Sequence, residues 1–433
     1  MNRQYKKIIV IFILASLGGI ACKKNYQDPS RATEDKVFTS PKGLTGVAVG
    51  LQRVYTLGRA SSTYNRITSD AFVTYQFNIL NQGNTAEYQL FLGGGSVDGT
   101  NTIVAGLWTS SNKILYDAEQ ILSNVDAAVA DKGYASGLIG YTTIFKALAL
   151  ADIASFWDKV PAAIGVNVSF NDRADGFNRA IAAIDMALQA ISANAISASF
   201  LSNIPAGVDI VQTLNALKAR YSLYVAKYPE ALAAANAVDL TKKSTFNFDL
   251  QNLNPIFETI TSTNNVAAPL DSTMGLFGAL KPDLADKRFP FYISTNASAP
   301  ILRVNGFAAA TTTPFPIYLP GEMTLIKAEA YARMAAPDLA NALIELNKVV
   351  TKQPANDPFG VGAGLPPLVG PLTQAQILDQ IYKHRSIELY NSGLRLEDTR
   401  RFGKPNTEKK RNFYPYPFRE RDNNPNTPPD PTY

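Results

Sequence analysis

Cysteine and histidine are almost missing from this chain of 433 residues, which holds one of each, Cys22 and His384. A lone cysteine permits no internal disulfide. A lone histidine excludes zinc sites built on several histidines and the two-histidine metalloprotease motif. His384 falls in a helical, charge-dense stretch, where a packed imidazole is expected rather than a catalytic base. Charge of one sign is scarce as well. The 41 lysines and arginines face 36 aspartates and glutamates, and three of the basic residues precede Cys22 with no acid among them. Beyond Cys22 the balance is nearly even, so no electrostatic case for nucleic-acid binding exists. The apolar run from Ile8 to Leu17 falls short of the roughly 20 residues that span a bilayer. Hydrophobic residues at 46% and charged ones at 18% give a globular composition, and the length allows a large core.

What the N-terminus does hold is an export pattern. Arg3, Lys6 and Lys7 precede the apolar run, and Gly19-Ile20-Ala21-Cys22 offers a small-residue cleavage site. Residues 1–21 read as a signal peptide and Cys22 as a lipoprotein acceptor. A triacylated cysteine carries enough chains for firm anchoring, where one would be marginal. Residues 22–40, polar and containing Pro29, read as a tether.

Helical periodicity dominates the rest. Residues 43–57 set Leu44, Val47, Ala48, Leu51 and Tyr55 on one face, and residues 108–129 and 141–157 continue the pattern. Asp175 is the expected N-cap of an alanine-rich helix over 176–192. Two helical hairpins follow, 213–227 with 229–238 and 321–334 with 337–350. Pro229 and Pro337 stand at second-helix starts, where a missing N–H is harmless. The cadence resembles tetratricopeptide hairpins, without that motif's tryptophan. Trp108 and Trp157 sit at helix ends with core-like spacing. Residues 64–106 and 240–313 read as long irregular excursions carrying short strand pairs, with Asp98-Gly99 a hairpin turn.

Enzyme signatures are few. Asn171-Asp172-Arg173-Ala174-Asp175-Gly176 lacks the ligands of a calcium loop, and Gly93-Gly94-Gly95 lacks the strand–helix context of a phosphate cradle. A glycosidase would need only two facing carboxylates, such as Asp70 and Asp98, and stays as a minor alternative. Sugar binding needs less: flat aromatic faces, amides and charged forks. Asp70, Tyr75, Gln76, Phe77, Asn78 and Tyr88 supply these within one excursion and are the expected ligand-binding residues. No catalytic residue, metal or cofactor is expected.

The most specific signal is C-terminal. Arg385, Glu388 and Leu389 lead to Gly393, Arg395, Asp398 and Arg401. Arg411, Asn412, Pro415, Pro417 and Glu420 follow, then Asn424-Pro425-Asn426. Arg385 with Glu388, and Arg395 with Asp398 and Arg401, are three apart, close enough to pair on a helix. The order resembles the C-terminal signature of the SusD/RagB family of nutrient-binding lipoproteins. The resemblance implies a mainly α fold, a tetratricopeptide-like helical hairpin scaffold with irregular loops and short strand insertions. It divides the chain into a helical region over 41–240 bearing the binding loop and a C-terminal region over 241–433. It also implies a non-catalytic outer-membrane protein, facing the exterior, that binds an oligosaccharide or other nutrient and serves a SusC-like TonB-dependent transporter. An interaction module without a small ligand is the main alternative.

Overall fold

The computed structural model describes residues 37–295 and 301–433, so Cys22 and the export segment lie outside it. The first helix, α1 (Pro41–Thr56), starts as its pattern requires, with Ser40 capping Gly43 N and proline in the first turn. α2 (Ser62–Val73) and α3 (Thr85–Leu92) follow within the stretch expected to be irregular. Two long helices come next, α4 (Thr102–Ala128) and α5 (Lys132–Phe156). Both begin earlier than expected, because side chains of Asn101 and Asp131 cap them. The first turns of α5 hold Gly137 and Gly140, which lower helix propensity by about 1 kcal/mol each. Contact explains them: a Cβ at Gly137 would stand 2.4 Å from the Phe200 ring, and one at Gly140 2.7 Å from Ile210. Although α5 is long and apolar enough to cross a membrane, it is the buried core helix of this body.

Helices α6 (Arg173–Ala193), α7 (Ile210–Tyr224) and α8 (Tyr228–Asn236) extend the stack. Asp172, not Asp175, holds the cap position of α6, while Asp175 pairs with Arg179 one turn on. α9 (Pro320–Arg333) and α10 (Leu339–Val350) form the last hairpin, against which α11 (Gln374–Glu388) packs. Short loops join α4 to α5, α7 to α8 and α9 to α10, and α8 rests on α9, so successive hairpins share one continuous helical layer. The mainly α, tetratricopeptide-like architecture read from the sequence is the observed one. α12 (Arg395–Arg401) and α13 (Phe418–Asn423) complete the chain.

Among the described residues the short strands form four antiparallel two-stranded ribbons. β1 (Phe77–Ile79) pairs with β5 (Ala267–Pro269), setting Asn78 opposite Ala268. β2 (Lys159–Pro161) pairs with β3 (Phe170–Asp172), and β4 (Thr245–Phe246) with β8 (Phe315–Pro316). β6 (Ile293–Thr295) pairs with β7 (Leu302–Val304). Asp98 and Gly99 form no hairpin. Asp98 instead accepts from Thr100 N at 2.8 Å, a local turn leading into α4.

Arg385, Glu388, Arg395 and Asp398 of the charged C-terminal motif are buried, and its members pair across elements more than along one helix. Arg385 bonds Asp398 at 2.7 Å and faces Glu322 at 3.8 Å. Glu388 holds Lys352 at 2.7 Å and Arg288 at 3.1 Å. Glu322 in turn grips Arg220 of α7 with both oxygens, at 2.6 and 2.7 Å. Asp398 and Arg401 do pair along α12 at 2.8 Å, as their spacing suggests. Arg395 instead donates to the Ser386 carbonyl at 2.6 Å. His384 is buried with Nδ1 2.8 Å from Arg288 Nη2, and burial holds its pKa well below the usual histidine value. This lattice locks α7, α9, α11 and α12 together.

Candidate ligand-binding site

The turn after α2, α3 and the segment after β5 bring a group of aromatic rings together. α2 ends in a reversal: Thr74 caps it, Tyr75 takes φ +59°, and Gln76 N returns to Ala71 O at 2.9 Å. Glycine is usual at such a left-handed position, and a side chain there costs about 1–2 kcal/mol. The strained residue is an aromatic one, and strain of this kind gathers at functional positions. The turn sets the Tyr75 ring edge-on to Phe277, with centroids 5.4 Å apart. On α3, Tyr88 and Phe91 lie one helical turn apart with nearly parallel rings. The Lys410 ammonium sits 4.1 Å from the Phe91 ring centre and 4.8 Å from that of Tyr75, joining the two ring groups. Tyr75, Tyr88 and Phe91 are half-buried and Phe277 is exposed, so a shelf of rings faces solvent.

Amides gather at the N-terminal end of α3. Asn81 donates to Asn265 Oδ1 at 3.0 Å across the ribbon, and Asn84 accepts from Arg59 at 3.2 Å. Arg59 also pairs with Glu87, which accepts the Tyr64 hydroxyl at 2.8 Å. Arg59, Asn65, Asn84, Glu87, Thr102 and Gly106 line an open polar cleft of about 530 Å³. A larger cleft of about 840 Å³ lies on the helical layer, where α4, α5, α6 and the β2–β3 turn meet. Its walls are mainly apolar, including Leu115, Leu150, Ile153 and Met186.

The six expected ligand residues divide. Tyr75 in the turn after α2, Asn78 on the ribbon and Tyr88 on α3 are half-buried and partly reach the surface. Asp70, Gln76 and Phe77 are buried and are not open to a ligand in this structure. Asp70 lies on α2, where Oδ1 accepts Leu396 N at 2.5 Å and Oδ2 accepts Gln76 Nε2 at 2.9 Å. Burial pushes Asp70 up to about 6, with those donors and Arg395 opposing the shift. Gln76 Oε1 accepts Asn391 N at 3.0 Å, tying the binding excursion to the C-terminal block. Phe77 packs edge-on against Phe72 in the core. Trp108 and Trp157 are core residues, as expected, with ring centres 4.8 Å apart. Arg59, Asn84, Glu87, Phe277 and Lys410 were not singled out from the sequence. Phe277 and Lys410 lie hundreds of residues from the rings they meet, and no local pattern marks them. Among the described residues no group of histidine, cysteine, aspartate or glutamate is arranged to hold a metal.

Comparison with known proteins bears on the fold of these hairpin layers and their excursions. Residues 308–430 match the model of the SusD family, so the resemblance read from the C-terminal motif holds. The fold is that of the SusD superfamily. A SusD superfamily protein of Bacteroides vulgatus superposes with a TM-score of 0.67 at 15% identity, covering 92% of this chain and 100% of its own. A SusD-like carbohydrate-binding protein of Bacteroides fragilis gives 0.65 at 14% identity over 85% and 87% of the two chains. NanU of B. fragilis gives 0.64 at 14% identity over 94% and 100%. At such identities the likeness is one of fold. A search of curated proteins finds no match.

Proposed function

We propose that this chain is a non-catalytic, lipid-anchored glycan-binding protein of the outer-membrane surface that passes its ligand to a SusC-like TonB-dependent transporter. The observation that carries the reading is the partly exposed ring shelf of Tyr75, Phe277, Tyr88 and Phe91, with the amides of Asn81, Asn84 and Asn265 at the N-terminal end of α3. Ring faces cover the apolar side of a sugar, and amides bond its hydroxyls. The strain held at Tyr75 supports a role for its ring beyond packing. The SusD-like carbohydrate-binding neighbour from B. fragilis supports the ligand class, and the export pattern ending at Cys22 supports the anchor. The shelf projects from the excursions, while the apolar cleft lies on the helical layer, which leaves that layer to meet the transporter.

Release into a transporter calls for modest affinity, micromolar to millimolar, or about 4–8 kcal/mol. The test is calorimetric titration of the detergent-purified full chain with an oligosaccharide panel. Tyr75→Ala and Tyr88→Ala should each weaken binding about tenfold, near the 1.4 kcal/mol that a lost stacking face represents. A chain that binds no oligosaccharide yet co-purifies with a membrane protein would instead be an interaction module. Product release from any oligosaccharide would overturn the non-catalytic reading.

A further inference from the structure

Lys410 stands apart from the other charged groups of this face. Arg59 has Glu87 as its partner. Arg411 directs its donors to the carbonyls of Gly94, Val97 and Phe413 and is buried. Lys410 has no carboxylate within ion-pair distance among the described residues, although it sits among the rings of the shelf. Its ammonium donates to the Phe91 carbonyl and lies against two aromatic faces. An ammonium has three donors, and the Phe91 carbonyl is its one hydrogen-bond acceptor among the described residues. Burial alone pushes Lys410 down to about 8, with no charged neighbour countering it.

Placing a cation at the centre of a binding shelf without a counter-charge is costly for a purely structural lysine. Aromatic faces offset part of that cost. A ligand that brings the missing anion offsets the rest, and a charge-assisted bond in a half-dry site is stronger than one between neutral groups. Neutral sugars would leave the ammonium as it stands. We infer that the preferred ligand is an acidic glycan, bearing a carboxylate or a sulfate on a sugar ring stacked against Tyr75 and Phe91, and that Lys410 receives the anion. The inference rests on the glycan reading of the same shelf and names its substrate class.

The test compares oligosaccharides of equal length by calorimetric titration of the detergent-purified full chain: oligogalacturonides, sulfated oligosaccharides and their neutral counterparts. At least one acidic series should bind tenfold or more tightly than its neutral counterpart, and which one does so separates uronate from sulfate. Lys410→Met keeps the apolar stem beneath the rings and should bring the acidic-to-neutral ratio towards one, while Lys410→Arg should preserve it. Should Lys410→Met fail to fold, a salt series on the unaltered chain decides. Acidic binding should weaken as salt shortens the screening length from about 10 Å towards about 3 Å, and neutral binding should not. Equal affinity for acidic and neutral sugars, a preference that survives Lys410→Met, or acidic binding indifferent to salt would each overturn the inference and leave the glycan reading in place. Failure to bind any sugar would overturn both.

Discussion

Glu322→Gln offers the sharpest check on how the scaffold is held. Glu322 is fully buried on α9 and accepts Arg220 Nε and Nη2 at 2.6 and 2.7 Å, a forked pair between α9 and α7. Its Oε1 also faces Arg385 of α11 at 3.8 Å. Glutamine keeps the shape but removes the charge, and its amide presents N–H groups to a guanidinium that can only donate. Arg220 would keep the Ile317 carbonyl at 3.0 Å and the amide oxygen as acceptors but lose its directly paired carboxylate. Removing one partner from a buried pair costs about 3–5 kcal/mol, and the forked geometry places this case in that range. The double change Arg220→Met with Glu322→Leu removes both charges and should recover most of the loss, because apolar replacements of a buried pair are often nearly neutral. Asp117→Asn is the control. It breaks the Lys113–Asp117 pair, in which the lysine is 58% exposed, and should cost no more than about 1 kcal/mol. Urea unfolding of the full chain at fixed salt and pH reads all four proteins. A Glu322→Gln chain within about 0.5 kcal/mol of the parent, near the control, would refute the structural reading of the lattice. Normal stability with lost ligand affinity would mark the lattice as a ligand clamp instead.

Phe77→Ala should destabilise by about 3–5 kcal/mol, since the ring is wholly buried; a loss below about 1 kcal/mol would mean that the ring is not core. Tyr75→Gly should unfold at higher urea than Tyr75→Ala by about 1 kcal/mol, because glycine tolerates φ +59° and alanine does not. Equal midpoints would remove the strain argument. Burial raises Asp70 and Asp152 to about 6, so both take up protons in the folded chain before the unfolded one, and each adds stability as pH falls from about 6 towards 4. His384, held neutral by burial, opposes them below its ordinary value. Two gains against one loss leave a net rise of about 1.4 kcal/mol per pH unit in that window. Below it stability falls, because burial is outweighed at Glu397 by Arg173 and Arg400, which hold it at about 2. Urea midpoints that drop steadily from pH 6 to pH 4 would contradict this balance. Cys22→Ala should release the protein from membranes without detergent, and its retention in the membrane fraction would count against acylation.

Legibility followed the range of the interactions. α1, α9 and α10 declared themselves through regular apolar spacing, while Pro337, read at the start of α10, stands just before its Asp338 cap. α2 did not. Its run from Ser62 to Val73 is rich in serine, threonine, asparagine and aspartate, which favour turns over helix interiors. Missing α2 placed Asp70 on a loop and made an internal acceptor look like a sugar contact. Gly133, Gly137 and Gly140 hid the start of α5 for a different reason, since they serve contacts with residues 195–214 that no local pattern reveals. Spacing suggested pairing within the C-terminal motif. Asp398 and Arg401 obeyed it, while Arg385 turned to Asp398 of α12 and Glu388 to Lys352 in the loop after α10. On the shelf, Tyr75 and Tyr88 were visible as half of the surface, but their neighbours Phe277 and Lys410 arrive only through the fold.

The final stretch of chain is fastened to the opening helices rather than trailing from the last hairpin. Lys410 N meets Val73 O at 2.8 Å, the Tyr414 hydroxyl meets Ser69 O at 2.6 Å, and Trp157 Nε1 meets Pro415 O at 3.0 Å. A polypeptide emerging N-terminus first therefore cannot seal α2 and α5 until its last two dozen residues are delivered. Closure over such separations is slow, so the half-built molecule must wait, with Trp157 uncovered, for a tail that acts as the clasp.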